Sequence, residues 1–374
     1  MAVSCQVVNI VTCDSEVGSG TLDAAGGRYF SEVVPLPQSE TATKDKLMST
    51  PVEGLAASVE CVAIPARCKT SSSIVDSSDP VQNIVDRCAR EEAVPIVHCV
   101  HGSKTGIVEP FPDTNFGKMI ATRDAFIVVD ACQGRFTTSW LQSFLQKGAM
   151  VLITGSKFFR GAPFSGAVLI PGELAERLAR TEVDMPEGLA KFITANEVPP
   201  VLQNWRDALP KQNNVGLALR WVQALAEMEP TLTLSEADRE AACETWRQHV
   251  MAIVEKNSEQ LEVFDGGDGS TSIVSIRLKK AGGGYLKTAE AKKVFEWMTQ
   301  DLSGRLVSPA AAARCYIGQP VAITKEDCVV RSALGSDSLR EVLQHPERAL
   351  ASDSLIIQKL ALLTDKYDEL SASK

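Results

Sequence analysis

The sequence predicts an α/β fold: a mostly parallel sheet covered by helices, followed along the chain by a smaller α+β unit. Three observations predict it. Short apolar runs bounded by turn residues alternate with amphipathic stretches through the first half, as they do where buried strands lie between layers of helix. The pattern changes after Glu229-Pro230, where a long amphipathic stretch leads into single strands and further helices. Finally, 374 residues with 44% apolar and 23% charged are enough for two ordinary domains with real cores.

The elements follow in order. Residues 6–12, 59–64, 95–100, 125–129, 150–153 and 166–170 read as buried strands. Between them, 81–92, 139–147 and 173–180 carry apolar residues three and four apart, as helices packed on a sheet do. A stronger helical pattern covers 214–228, and the break after it sets the expected domains at 1–230 and 231–374. In the second unit, 236–256 and 289–302 read as helices, 272–278 and 329–333 as strands, and 353–371 as the closing helix. The polar stretches 39–50 and 69–80 read as loops.

Charge and cysteine usage exclude several classes of function. A net charge of -9 and the lack of a Lys/Arg cluster oppose a hold on phosphate backbones, so no nucleic-acid partner is expected. No apolar run approaches the ~18 residues of a membrane helix, so no membrane partner is expected either. The ten cysteines lack Cys-x-x-Cys pairing, which argues for reduced thiols, a cytoplasmic setting and no metal site. The opening residues carry no basic flank and no long apolar core, so a signal peptide is not expected. His98 and His101 flank Cys99, but alternation along a strand sends His98 and Cys99 to opposite faces, and a packing role is the expectation.

One constellation carries chemistry. The strand ending Phe126-Ile-Val-Val-Asp130 delivers a carboxylate, and the next strand runs through Thr154-Gly155-Ser156 to Lys157. Parallel strands present their C-terminal ends to one edge, so Asp130 and Lys157 are expected to face one crevice. Pyridoxal phosphate uses such a pair: a lysine to hold its aldehyde as a Schiff base, and a carboxylate to keep its pyridine nitrogen protonated. Hydroxyls of Thr154 and Ser156 suit its phosphate, and Gly155 and Gly161 are expected to bring backbone amides close to that anion. Asp130 also suits a helix N-cap or a magnesium site, but no Gly-x-x-x-x-Gly-Lys-Ser/Thr loop accompanies it.

From VVDACQ to VLITGSKFFRGAPFSGAVLIP the chain resembles the class V aminotransferase and cysteine desulfurase branch of the fold type I pyridoxal-phosphate enzymes. The resemblance implies that Asp130 pairs with the ring nitrogen, Gln133 bonds the ring hydroxyl, Lys157 forms the Schiff base and later acts as a buried general base, and Thr154 and Ser156 touch the phosphate. VHCVHGSKTGIVEP is similar to the segment carrying Asn-Glu-x-Gly and Pro: Gly106 and Pro110 match, while Ser103 stands at the cofactor-contacting Asn. VVRSALGS resembles the Arg-x-Ser-Leu-Gly strand, which makes Arg331 the substrate-carboxylate residue. NNVGLALRWVQALAEM looks like the helix leading to the small domain. The resemblance spans roughly residues 95–335 and implies a homodimer acting on an amino acid as its small-molecule substrate.

Two placements compete for the start. In one, Gly18–Thr21 is the phosphate loop and Thr21 a cofactor contact. In the other, preferred because Gly26-Gly27 would interrupt a phosphate-capping helix, 16–21 follows the next strand, the phosphate loop is absent and the chain is short at its start. Neither supplies a ring-stacking aromatic. Two alternatives to aminotransferase chemistry therefore stay open. One is a catalytically degenerate binding or scaffold protein. The other is a desulfurase or related lyase, for which Cys315 and Cys328 are the candidate mobile thiols.

Overall fold

The computed structural model describes residues 6–32, 48–55, 59–109, 124–181, 183–265 and 271–372. Pro110 and most of the 39–50 stretch lie outside them. The first sheet contains β1 (Val7–Val11), β2 (Val59–Ala63), β3 (Val94–Val100), β4 (Phe126–Asp130), β5 (Met150–Thr154) and β6 (Gly166–Leu169). Their order is β2-β1-β3-β4-β5-β6, parallel throughout except for β6, which returns antiparallel along β5. The helices between them are the five-residue α1 (Thr21–Ala25), then α2 (Ser78–Glu91), α3 (Thr138–Gln146) and α4 (Gly172–Ala179).

Register fixes the two faces of this sheet. Ile10 pairs with Val97, Val97 with Ile127 and Val129 with Val151, so these side chains share one face and enter the main core. Asn9, His98, Asp130 and Leu152 take the opposite parity and line a cleft on the other face. The strand runs thus bury one face against helices and leave the second to carry polar groups.

Beyond β6 and α4 come α5 (Gln203–Ala208), α6 (Val215–Leu232) and α7 (Glu236–Lys256). Asn214 caps α6 by accepting from Leu217 N, and Ser235 caps α7 by accepting from Asp238 N. Pro230 lies inside α6, which continues to Leu232 rather than breaking at the proline. The cost of the missing amide is contained because only one turn remains. The Thr231 and Thr233 hydroxyls also take up the carbonyls of Glu227 and Glu229 beside it.

A second, antiparallel sheet follows, in the order β7-β8-β10-β9: β7 (Leu261–Phe264), β8 (Ile273–Leu278), β9 (Gly318–Ala322) and β10 (Cys328–Ala333). It packs with α8 (Thr288–Met298), α9 (Pro309–Ala312), α10 (Ser336–Gln344), α11 (Pro346–Asp365) and α12 (Tyr367–Ala372). Trp246, Val250 and Val254 of α7 are fully buried and join both sheets into one contiguous core. Among the described residues, no helix is long and apolar enough to cross a membrane.

Candidate active site

The C-terminal edge of the first sheet carries Asp130 and, in the turn past the neighbouring strand, Lys157. Asp130 closes β4, paired with Val100 of β3 and Leu152 of β5. Its Oδ1 accepts the Cys132 amide at 2.9 Å, the local turn that a short carboxylate makes with the backbone two residues on. It lines the cleft on the second face, about 450 Å³, together with Thr21, Asn9 and His98. His98 Nε2 lies 2.7 Å from Asn9 Oδ1, and burial pushes the imidazole down to about 4 against the pull of the Asp130 charge.

Lys157 lies three residues past the end of β5, in a turn closed by Arg160 N on its carbonyl at 3.0 Å. Its side chain is exposed, where the resemblance implied a buried base. Burial raises the Cys132 thiol, as does the Asp130 charge, while the Lys157 charge lowers it. Acid and amine therefore both bear on Cys132, although Lys157 is not among the residues lining the cleft around Asp130. Gln133 ties the two turns together through its carbonyl, which accepts Phe158 N at 3.4 Å, and its side chain packs over Gly102. A φ of +83° is why position 102 is glycine.

The turn holding Thr154 and Ser156 corrects one expectation. Thr154 Oγ1 is 2.9 Å from Ser156 Oγ and donates to Ser165 O at 3.0 Å. The amides of Gly155 and Gly161 are spent on Ser165 O and Gly155 O. They are not aimed at an anion. The two glycines instead make room for α6, since a Cβ on Gly155 would stand 2.3 Å from Ala224 Cβ and one on Gly161 2.8 Å from it.

Ser103 is a second correction. It is 1% exposed, donates to Glu16 and accepts from Ile107 N at 3.0 Å, so it holds a turn and presents nothing to a ligand. Glu16 in turn accepts Arg67 Nε at 2.8 Å, the Thr105 amide at 3.1 Å and the Thr105 hydroxyl, all buried. This network welds the loop after β1 to the loop after β3. Its signal in the sequence is weak, because an acid and an arginine 51 residues apart carry no common motif.

Arg331 reaches the same edge from the second sheet. Its Nη1 donates to Lys104 O at 3.0 Å and its Nη2 to Gln319 O at 3.2 Å, while its buried Nε has no partner. Lys104 is pushed down first by burial and then by the Arg331 charge, with Lys157 adding to the effect. Arg331 and Lys104 therefore meet at this edge. Thr21, at the start of α1, lines the cleft beside Asp130. The candidate thiols do not reach this edge: Cys315 and Cys328 are buried in the core, and burial lifts Cys328 to about 11. His101, one residue past β3, stacks on Trp140 at 3.6 Å between ring centres, a partner the sequence does not disclose.

The chain has the fold of the fold type I pyridoxal-phosphate-dependent enzymes. Oryza sativa TDC with PLP and tryptamine superposes with a TM-score of 0.55 at 14% identity, over 97% of this chain and 64% of that one. Mouse CSAD gives 0.53 at 14% identity, over 96% of this chain and 64% of that one. Catharanthus roseus tryptophan decarboxylase in complex with L-tryptophan gives 0.52 at 13% identity, over 95% and 62%. The chain thus spans a little over three fifths of the length of these structures. No protein-family model and no curated protein matches it.

Proposed function

We propose that the chain is a pyridoxal-phosphate-dependent enzyme acting on an amino acid, with Lys157 as the residue that carries the cofactor. The observation that carries this reading is a carboxylate ending one parallel strand and an amine just past the end of its neighbour, in a sheet of this fold. Bound pyridoxal phosphate supplies an electron sink that stabilises negative charge at the substrate α-carbon. In that arrangement the Asp130 carboxylate holds the proton on the pyridine nitrogen, using the oxygen left free by the Cys132 amide. The Gln133 side-chain amide, with no hydrogen bond of its own among the described residues, bonds the ring hydroxyl. Ser156 and Thr21 contribute hydroxyls toward the phosphate, Thr154 orients Ser156, and Arg331 supplies the positive charge for the substrate carboxylate. Once released, the Lys157 Nζ moves the proton at the α-carbon.

Amino transfer of the class V type is the reaction we favour, carried out by a homodimer in the cytoplasm. The nine described cysteines are free thiols, in keeping with a reducing compartment. The exposed apolar row Val215, Leu219, Val222 and Leu225 on α6 offers a surface for a second copy. A binding or scaffold role has its own support: the spent Thr154 hydroxyl, the spent glycine amides and the inward Ser103 leave this edge poor in phosphate donors. A panel of amino acids, assayed with saturating cofactor for product and for visible absorbance, separates the two. Turnover that Lys157→Ala abolishes supports the enzyme, and binding without turnover supports the scaffold.

A further inference from the structure

On the face of the sheet opposite Asp130, the turns after β3, β4 and β5 and the start of α7 enclose a second pocket, of about 430 Å³. It shares no lining residue with the cleft around Asp130. Two arginines line it, and neither has a carboxylate within ion-pair distance among the described residues. Arg135 places Nη1 on Ser272 O, Ser272 Oγ and Leu334 O at 3.3, 2.6 and 2.9 Å. Among the described residues its Nε is buried without a partner and its Nη2 makes no hydrogen bond, with the Phe158 ring 5.1 Å from the guanidinium carbon. Among the described residues Arg239, 9% exposed, donates only Nη2, to Phe136 O at 2.9 Å. A guanidinium has five donors to place, and burying it without a counter-charge is costly, so this pair is half satisfied.

The third feature is the rim. Glu236, Glu240 and Glu244 follow one another at i, i+4 and i+8 on one face of α7, line the same pocket and are exposed. A simple dianion would have to enter past these carboxylates. A molecule carrying a carboxylate at one end and an ammonium beside it satisfies both layers at once. We propose that this pocket binds a free α-amino acid as its zwitterion, with the carboxylate on Arg135 and Arg239 and the ammonium toward Glu240 and Glu244. Arg135 stands five residues past Asp130 and grips Ser272 and Leu334 beside the second sheet, so occupancy would tighten the contact between the two sheets.

The test is a thermal-shift screen of the common L-amino acids at constant ionic strength, followed by calorimetric titration of the tightest one. Acetate, methylamine and inorganic phosphate serve as the partial ligands. The proposal expects at least one amino acid to bind tenfold or more tightly than any of these three. Arg239→Gln should weaken it at least tenfold. Glu240→Lys, on an exposed position that leaves the fold intact, should weaken the amino acid and strengthen acetate. Lys157→Ala should leave the titration unchanged. No amino acid binding, phosphate binding more tightly than any amino acid, indifference to Glu240→Lys, or loss of binding in Lys157→Ala would each overturn it.

Discussion

Cys132 is where the two proposed cofactor groups meet. Its amide fixes Asp130, and its thiol feels both the Asp130 carboxylate and the Lys157 ammonium. Because Lys157 is exposed, Lys157→Ala is expected to change stability by less than about 0.5 kcal/mol in urea denaturation while removing cofactor-dependent absorbance. Glu16 is the opposite case. Glu16→Ala removes the buried carboxylate that accepts from Arg67, Ser103 and Thr105, and a loss of about 3–5 kcal/mol is expected in the same measurement. An unchanged melt would show that water reaches the site. His101 sets a pH dependence. Burial lowers it to about 4 from an ordinary 6.5, so its stabilising share is complete above pH 6.5 and is lost as the pH falls toward 4. His101→Phe, which keeps a ring on Trp140, is expected to shrink the drop in unfolding free energy between pH 7 and 4 by about 3 kcal/mol. At this scale the sequence disclosed where Asp130 and Lys157 fall relative to the strand ends, because a strand's end is visible in its apolar run. It did not disclose Ser103's partner, because Glu16 meets it only through folding.

At the scale of elements, the tightest fit is between α6 and the turn after β5. A methyl on Gly155 would overlap Ala224, so Gly155→Ala is expected to cost at least about 2 kcal/mol through overpacking. Ala224→Gly in the same chain should recover part of that loss, since the second change removes the clashing group. A double-mutant cycle with purely additive terms would mean that the helix shifts freely. The strands of the first sheet, with β8 and β10, were legible to within a residue or two because both periodicity and turn residues mark them, whereas β7 and β9 were not read from the sequence. The helix through Pro230 was not, since the proline falls in a last turn whose carbonyls Thr231 and Thr233 satisfy locally. Glycines at 155 and 161 suggested an anion cradle, yet the helix they admit is distant in sequence and invisible to local reading.

At the scale of the whole molecule, parallel order could be expected but not the neighbours: β1 lies between β2 and β3, an arrangement that only the register reveals. The sharing of faces follows from it, and with it the appearance of His98 beside Asp130 instead of in a purely packing role. The proposed homodimer rests on the α6 row, where Leu219 and Val222 are 64% and 65% exposed. Sedimentation of the double variant Leu219→Glu, Val222→Glu is expected to give monomers where the parent gives dimers, and a parent that sediments as a monomer would remove the dimer. The cofactor assignment itself is tested most directly by borohydride reduction of the protein saturated with pyridoxal phosphate, followed by peptide mapping. A pyridoxyl-phosphate mass is expected on the peptide containing Lys157. An unmodified Lys157, or the same mass confined to another lysine, would contradict it.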